Sequence, residues 1–212
     1  MNGDSRLNEQ ELQLISQTTI GHYNVRAGQF LRDTIDHDVS QNQAALLRHI
    51  KTKLPWRLLD FGCGPGRDLQ TFSTMGHDII GLDGAERFCT MARKLSGCEV
   101  WRQDFLDLDL PVAYFDGIFA NASLFHIPSQ ELPRVLQQLF DCLKSQGALL
   151  SSNPHGNNEE GWQRMRFANL HRPDRWQAIM ESAGFALQES YYRPSHLPPA
   201  QRPWFVTVWL KP

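Results

Sequence analysis

The segment that most constrains this chain is the run of nine residues 60–68, DFGCGPGRD. An apolar segment, residues 56–59, precedes it, and a segment with a helical pattern, residues 69–72, follows it. Glycines at alternate positions tolerate positive φ and place no Cβ between the backbone and a ligand. A helix that begins behind them offers free N–H groups. The pattern therefore predicts a strand, a ligand-binding turn and a helix.

The details of this turn argue against a dinucleotide. A turn that holds a pyrophosphate has the glycine pattern G-x-G-x-x-G. Gly62 and Gly64 fit that pattern, but Arg67 stands in the third position, and Gly66 gives G-x-G-x-G instead. Asp60 would repel a pyrophosphate, whereas it would attract an ammonium group or a hydrogen-bond donor. The turn therefore favours a ligand with a positive or donor-rich end.

Two later acids stand where a nucleoside would be held. Residues 77–83 form a predicted second strand that ends in Asp83, where one carboxylate can accept hydrogen bonds from both hydroxyls of a ribose. Residues 98–102 form a predicted third strand that leads to Asp104 and Phe105. We expect Asp104 to accept from an adenine amino group, with Phe105 against the face of the ring.

This ordered set of motifs resembles the class I S-adenosylmethionine-dependent methyltransferases. Residues 60–66 resemble the family's glycine motif, Asp83 its ribose acid and Asp104 its adenine acid. Residues 114–123 resemble the strand that leads to the methyl-transfer site. The resemblance covers about residues 40–153 and implies S-adenosyl-L-methionine as the cofactor.

The resemblance also implies a fold of the α/β class. We expect a doubly wound, Rossmann-like sheet of seven mostly parallel strands with an antiparallel last strand, and helices on both faces. At 212 residues the chain suits a single methyltransferase domain. Within it, residues 1–40 would form an N-terminal helical lid, residues 41–153 the cofactor-binding core, and residues 154–212 a substrate-side insertion and the final strands.

Periodicity adds individual elements to this plan. An apolar stripe at positions 46, 47, 50 and 54 predicts a helix over residues 41–54. A later helix is expected over residues 175–183, ended by Gly184. Two late strands, residues 185–192 and 204–210, complete the predicted sheet.

The cofactor site is predicted from the motif and from the strand ends. We expect the cofactor to be contacted by Asp60, Gly62, Cys63, Gly64, Gly66, Asp83, Gly84, Asp104, Phe105, Asn121 and Tyr23. Each signal has a plainer alternative, since three glycines can make an ordinary tight turn. Asp83 could cap a helix that starts near Ala85, and Asp104 could be an ordinary loop acid.

Two residues are candidates for a direct part in the chemistry. Tyr23 resembles the N-terminal tyrosine with which small-molecule methyltransferases close over the cofactor's carboxylate end, although a packing role is an equal alternative. His126 lies just beyond the fourth predicted strand, and an imidazole can take a proton near neutral pH. A packing and hydrogen-bonding role for His126 remains open.

Three residues are candidates for substrate binding: His37, Asn153 and His155. His37 lies in the N-terminal lid, and the other two follow the fifth strand, where ligands bind in open α/β sheets. His37 also stands between two aspartates, but three consecutive side chains rarely point at one ion, so we expect no metal.

Charge and composition narrow the class of substrate. The net charge is −2, which argues against a nucleic acid as substrate. Residues 151–212 hold seven Lys or Arg and five Asp or Glu, whereas residues 1–150 hold fourteen and eighteen. The C-terminal arginines would commonly solvate a surface, but if they face the site they indicate an anionic group on the substrate.

We expect a cytoplasmic protein, a monomer or a homodimer, that acts without a nucleic-acid or membrane partner. The start of the chain is polar, no apolar run approaches membrane-spanning length, and the four cysteines show no metal-ligand spacing. The leading hypothesis is methyl transfer to an S, N or O nucleophile of a small polar molecule by in-line displacement. The alternatives are a non-catalytic protein that binds S-adenosylmethionine or S-adenosylhomocysteine, and a nicotinamide oxidoreductase.

Overall fold

The computed structural model describes residues 6–198, 201 and 203–212. The polar residues 2–5 at the start of the chain lie outside the described residues. The first element is the long helix α1 (Glu9–Thr34), which begins with a capping box. In this box the Asn8 side chain accepts from the Glu11 N–H, and the Glu11 side chain accepts from the Asn8 N–H.

The elements between residues 40 and 102 alternate between helix and strand, as the sequence predicts, whereas several later strands follow one another without a helix between them. Their order after α1 is α2 (Ser40–His49), β1 (Arg57–Phe61), α3 (Arg67–Thr74), β2 (Asp78–Asp83), α4 (Glu86–Ser96), β3 (Val100–Arg102), β4 (Phe115–Asn121), the 3-10 turn η1 (Leu124–His126), α5 (Leu132–Cys142), β5 (Leu143–Pro154), β6 (Glu159–Gln163), β7 (Arg166–Leu170), α6 (Pro173–Ser182), β8 (Ala186–Arg193) and β9 (Trp204–Leu210).

Seven strands form one sheet in the order β3-β2-β1-β4-β5-β9-β8. The pairs from β3 to β5 are parallel, whereas β9 is antiparallel to both of its neighbours. Helices cover both faces of the sheet. Neighbouring residues of β1 point to opposite faces, so Leu58 packs in the core beneath α2, α3 and α4, and Leu59 packs beneath α5. The predicted fold class is therefore confirmed.

The predicted helix over residues 41–54 is too long. Helix α2 ends at His49, and Ile50 adopts an extended backbone while its side chain packs beneath Gly117. The Lys51 N–H bonds to the Gln146 carbonyl instead of continuing the helix, and Leu54 is 67% exposed. The apolar position at Leu54 therefore does not belong to the helical stripe.

Helix α1 and the segment after β5 pack against each other. Strands β6 and β7 form an antiparallel hairpin, and β7 contacts both α1 and η1. The Phe167 N–H donates to the Thr19 hydroxyl of α1 at 3.1 Å. Among the described residues, no helix has both the length and the apolar character needed to cross a membrane.

Candidate active site

A cavity of about 920 Å³ lies at the carboxyl ends of the parallel strands, beneath helix α1. Parallel strands bring their carboxyl ends to one edge of the sheet, so the turns after β1, β2, β3 and β4 meet there. The turns contribute residues 62–65, 83–85, 104–106 and 121–123 to the wall. Residues from the four sequence motifs therefore line one cavity.

The three glycines of the turn differ in the space around them. Gly62 and Gly66 are tightly packed, whereas Gly64 leaves room for a ligand. Gly62, Gly64 and Gly66 all have positive φ. A Cβ on Gly62 would lie 2.4 Å from the Ser123 Cβ, and one on Gly66 would lie 2.6 Å from the Ala92 Cα. A Cβ on Gly64 would meet nothing closer than the Phe30 ring at 3.8 Å. Gly64 therefore leaves the space over the turn open.

Asp83 ties the first two turns together. Its Oδ2 accepts from the Gly64 N–H at 3.0 Å, and its Oδ1 accepts from the Ala85 N–H at 2.8 Å. Burial raises the pKa of Asp83 to about 6, against the opposing effect of these two bonds. Each carboxylate oxygen has two lone pairs, so both can still accept from a ribose. Asp83 is not the N-cap of α4, because Ala85 holds that position and Asp83 accepts from the N–H of Ala85 itself.

Asp104 and Phe105 form the far end of the cavity. The Ser16 hydroxyl of α1 donates to Asp104 Oδ2, and the Leu106 N–H donates to Asp104 Oδ1 at 2.9 Å. The Phe105 ring stacks on Phe61 with 4.3 Å between the centroids. Helix α1 therefore begins its course across the cavity at the predicted adenine end.

Asp60 and Gly66 are predicted cofactor contacts that do not line the cavity. Asp60 lies behind the turn at 3% exposure, and its Oδ2 has no hydrogen-bond partner among the described residues. Burial, and then the nearby charge of Asp68, raise the pKa of Asp60 well above its usual range. Gly66 starts α3 in a left-handed conformation against α4, so its role in the structure is packing.

Arg67 joins the C-terminal end of α1 to the glycine turn. Its guanidinium donates to the Thr34 carbonyl at 2.8 Å and the His37 carbonyl at 3.2 Å. It also pairs with Asp68 at 2.7 Å, and the Gln43 amide donates to the same carboxylate at 2.8 Å. Arg67, which stands in the third glycine position of the dinucleotide pattern, therefore holds the C-terminal end of α1 against the glycine turn.

Tyr23 and His126 meet at the wall of the cavity with a defined proton arrangement. His126 Nδ1 lies 2.6 Å from the Phe167 carbonyl oxygen, which can only accept, so Nδ1 carries the proton. Burial lowers the pKa of His126 to about 4, so the ring is neutral and Nε2 accepts from the Tyr23 hydroxyl at 2.7 Å. Arg166 donates to the Tyr23 oxygen at 3.2 Å. One chain of hydrogen bonds therefore joins Arg166, Tyr23 and His126.

The three residues predicted to bind the substrate do not line the same cavity. His37 lines the main cavity, whereas Asn153 and His155 line a second cavity of about 10 Å³. The reason is strand alternation, because Ser152 lines the main cavity and its neighbour Asn153 points to the other face of β5. Phe125 lines both cavities. The placement of Asn153 and His155 with the substrate is therefore not seen.

Several wall residues were not individually predicted: Ser16, Thr19, Arg67, Asp68, Asn42, Arg166 and Arg193. Ser16 and Thr19 belong to no sequence motif. They line the cavity because helix α1 crosses it. The excess of C-terminal arginines was the available signal for Arg166 and Arg193. In the described part of the chain, no cluster of three or more His, Cys, Asp or Glu side chains could hold a metal ion.

Residues of this site fit S-adenosylmethionine. The open face of Gly64 and the two remaining lone pairs of Asp83 suit an ammonium group and a ribose, whereas Asp60 lies behind the turn. The fold and the site together define the class I methyltransferase architecture.

Comparisons with known proteins agree. Residues 58–147 match the family described as "Methyltransferase domain". The matching domain, the named relatives and the fold support a class I S-adenosylmethionine-dependent methyltransferase with S-adenosyl-L-methionine as its cofactor. The predicted family and cofactor are thus confirmed.

Several curated relatives have the name trans-aconitate 2-methyltransferase. The one from Acidovorax sp. is 30% identical in an alignment over 155 residues that covers 69% of this chain and 58% of that protein. The chain spans less than two thirds of the length of the curated relatives that it matches, from 46% to 63% among those compared.

Solved structures show the same fold. The Burkholderia thailandensis 1,6-didemethyltoxoflavin-N1-methyltransferase, crystallised with 1,6-didemethyltoxoflavin and S-adenosylhomocysteine, superposes with a TM-score of 0.78 at 19% identity. The superposition covers 99% of this chain and 93% of the Burkholderia chain. A TehB-like S-adenosylmethionine-dependent methyltransferase of Corynebacterium glutamicum superposes with a TM-score of 0.68 at 19% identity, covering 91% and 100%.

Proposed function

We propose that this chain transfers a methyl group from S-adenosylmethionine to an S, N or O nucleophile of a small polar molecule. One observation carries the proposal. The cavity that is lined by the glycine turn and Asp83 is also lined by Asn121, His126 and Trp204, and by residues of α1. The wall at His126 and Trp204 is proposed to receive the acceptor, which a cofactor site without a reaction would not need.

S-adenosylmethionine supplies an activated methyl group on a sulfonium when it is bound. The chain's own contribution is to hold the acceptor in line and to exclude water. Positioning of this kind can lower a barrier by about 7–11 kcal/mol in favourable cases. The roof formed by α1 is suited to both tasks, because Ser16, Tyr23 and Arg67 fasten it to the sheet at three points along the cavity.

In this proposal Tyr23 and His126 position the acceptor, and His126 does not accept its proton. The His126 Nε2 lone pair already receives the Tyr23 proton, and a pKa of about 4 makes the ring a weak base at neutral pH. We therefore expect an acceptor that arrives without a proton to lose, such as a thiolate, a neutral imidazole or a carboxylate. His37, at the rim of the cavity, is proposed to contact this acceptor.

Calorimetry with S-adenosylhomocysteine and turnover assays together test the proposal. We expect binding of S-adenosylhomocysteine, and methylation of at least one member of a panel of thiols, amines, imidazoles and carboxylates that includes trans-aconitate. Absence of S-adenosylhomocysteine binding would contradict the proposal outright. Binding without turnover on a broad panel would instead favour the non-catalytic alternative.

A further inference from the structure

We infer that the methyl acceptor carries a carboxylate that pairs with Arg193, an inference that rests on the proposed function. Arg193 is the last residue of β8, lies opposite Trp204 of β9 in the sheet, and lines the cavity. The inference concerns the substrate's charge, which the motifs of the cofactor site leave undefined.

The guanidinium of Arg193 is held in place by neutral oxygens. Its Nη1 donates to Asn42 Oδ1 at 3.0 Å, and its Nη2 donates to the Asp38 backbone carbonyl at 2.5 Å. A guanidinium has five N–H donors in a rigid, planar fork that matches a carboxylate. Within the described residues two of the five are engaged, which leaves donors for a ligand.

Asn42 fixes this group relative to the rest of the site. It is 1% exposed, and its Oδ1 also accepts from the Tyr191 hydroxyl at 2.9 Å. Its Nδ2 donates to Asn121 Oδ1, at the tip of β4, at 2.9 Å. The guanidinium is therefore held at a fixed distance from the end of β4. A ligand need not order this side chain on binding.

The protein does not neutralise the Arg193 charge. No carboxylate of the described residues lies within ion-pair distance of Arg193, whereas Arg67, also in the cavity wall, is paired with Asp68. Asp38, whose backbone carbonyl accepts from Arg193, turns its carboxylate to the Ser40 N–H; the bonds from Ser40, and more weakly the charge of Arg193, lower the pKa of Asp38. A half-buried cation without a partner is costly, and an anionic ligand would supply the missing charge.

The acids that line the cavity are Asp36, Asp38, Asp68, Asp83 and Asp104. Asp83 accepts from backbone N–H groups, Asp104 accepts from Ser16, and Asp68 is paired with Arg67. Asp38 lies beside Arg193, but its carboxylate faces the Ser40 N–H. The spare donors of Arg193 are therefore the groups that would attract an anion at this part of the wall.

Aromatic side chains lie next to Arg193. Trp204 meets Phe125 edge to face with 6.4 Å between the ring centroids, and the Phe125 and His126 ring centroids are 4.0 Å apart. Planar ligands pack well on aromatic faces. This part of the wall therefore suits a molecule with a carboxylate at one end and a planar, unsaturated body.

The experiment compares matched acids and amides on the protein loaded with S-adenosylhomocysteine. Calorimetry would measure benzoate against benzamide and cinnamate against cinnamamide on wild type, Arg193→Gln and Arg193→Lys. We expect the carboxylates to bind wild type at least about tenfold more tightly than the amides, and Arg193→Gln to remove that preference. Arg193→Lys should keep part of it. Arg175→Gln, which removes the same charge from α6 outside the cavity, should keep all of it.

Each variant's affinity for S-adenosylhomocysteine separates the possible failures and also shows that the variant folds. Carboxylates that bind no better than amides, or that do not bind at all, would overturn the inference while S-adenosylhomocysteine binding leaves the proposed function standing. An unchanged preference in Arg193→Gln would overturn it as well. Loss of S-adenosylhomocysteine binding by wild type would defeat the proposed function, and the same titrations on the unloaded protein would then decide the carboxylate site.

Discussion

The phenolic oxygen of Tyr23 lies 2.7 Å from Nε2 of His126, and this contact joins helix α1 to the turn after β4. The imidazole is in turn held by the Phe167 carbonyl of the β6–β7 hairpin. Three parts of the chain that are far apart in sequence therefore meet in one hydrogen-bonded chain at the wall of the cavity.

Tyr23→Phe should destabilise the fold and lower turnover more than it lowers cofactor affinity. The change leaves buried Nε2 without a donor, which costs about 1–3 kcal/mol of unfolding free energy. Urea denaturation and a KM-against-kcat comparison would measure the two effects. Tyr114→Phe is the matched control, because Tyr114 lies outside the cavity and its ring contact with Arg57 survives. Equal effects of both changes would contradict a role for the hydroxyl.

Asp83 should make the ligand-free protein less stable as the pH rises from about 4 to about 6. Its native pKa is raised to about 6 from 3.8, so the native state holds a proton that the unfolded chain releases. The loss over this window is about 3 kcal/mol. Urea denaturation across the window would detect the slope, and Asp83→Asn should flatten it. An equally steep slope in the variant would assign the effect to another group.

The same carboxylate should give cofactor binding the opposite pH dependence. An ionised carboxylate accepts hydrogen bonds more strongly than a protonated one, so S-adenosylhomocysteine affinity should rise as the pH passes about 6. Asp83→Ala should weaken binding by about 1–3 kcal/mol at pH 8. Calorimetry at several pH values checks both statements, and an unchanged dissociation constant in the variant would remove Asp83 from the site.

Asp60→Asn should stabilise the ligand-free protein at neutral pH and weaken cofactor binding. The carboxylate is buried, has an unpartnered oxygen and has a raised pKa, so its ionisation opposes folding. The amide keeps the size and removes the charge that would attract an ammonium group. Thermal melts with and without S-adenosylhomocysteine would show the two opposite shifts. A variant with wild-type ligand affinity would mean that Asp60 acts on the fold alone.

Gly62→Ala should cost more stability than Gly76→Ala. Both glycines have φ above +80°, but a Cβ on Gly62 meets Ser123 at 2.4 Å, whereas nothing lies within 4 Å of one on Gly76. The strain common to both is about 1–2 kcal/mol, and the clash adds to it at Gly62. Adding Ser123→Gly should recover part of the difference in a denaturation series. Equal losses at the two positions would contradict a steric role for the turn.

The sequence could predict what depends on short motifs. The turns after β1, β2 and β3 carry their glycines and acids in consecutive stretches, and parallel pairing alone brings them to one edge. Arg193 could not be placed in this way, because its position depends on the antiparallel pairing with Trp204 and on a buried asparagine from α2. The sequence analysis placed Asn153 after the fifth strand, whereas β5 continues to Pro154. Strand alternation therefore points Asn153 to the face opposite that of Ser152.

The buried acids beneath the glycine turn have a consequence for the life of the protein in a cell. Asp60 and Asp83 both oppose folding when they are ionised, and a cationic ligand offsets that cost in the bound form. The empty chain is then the form more exposed to proteolysis. The protein's abundance should therefore follow the supply of its methyl donor, so that starvation for methionine would shorten its half-life even without any change in its synthesis.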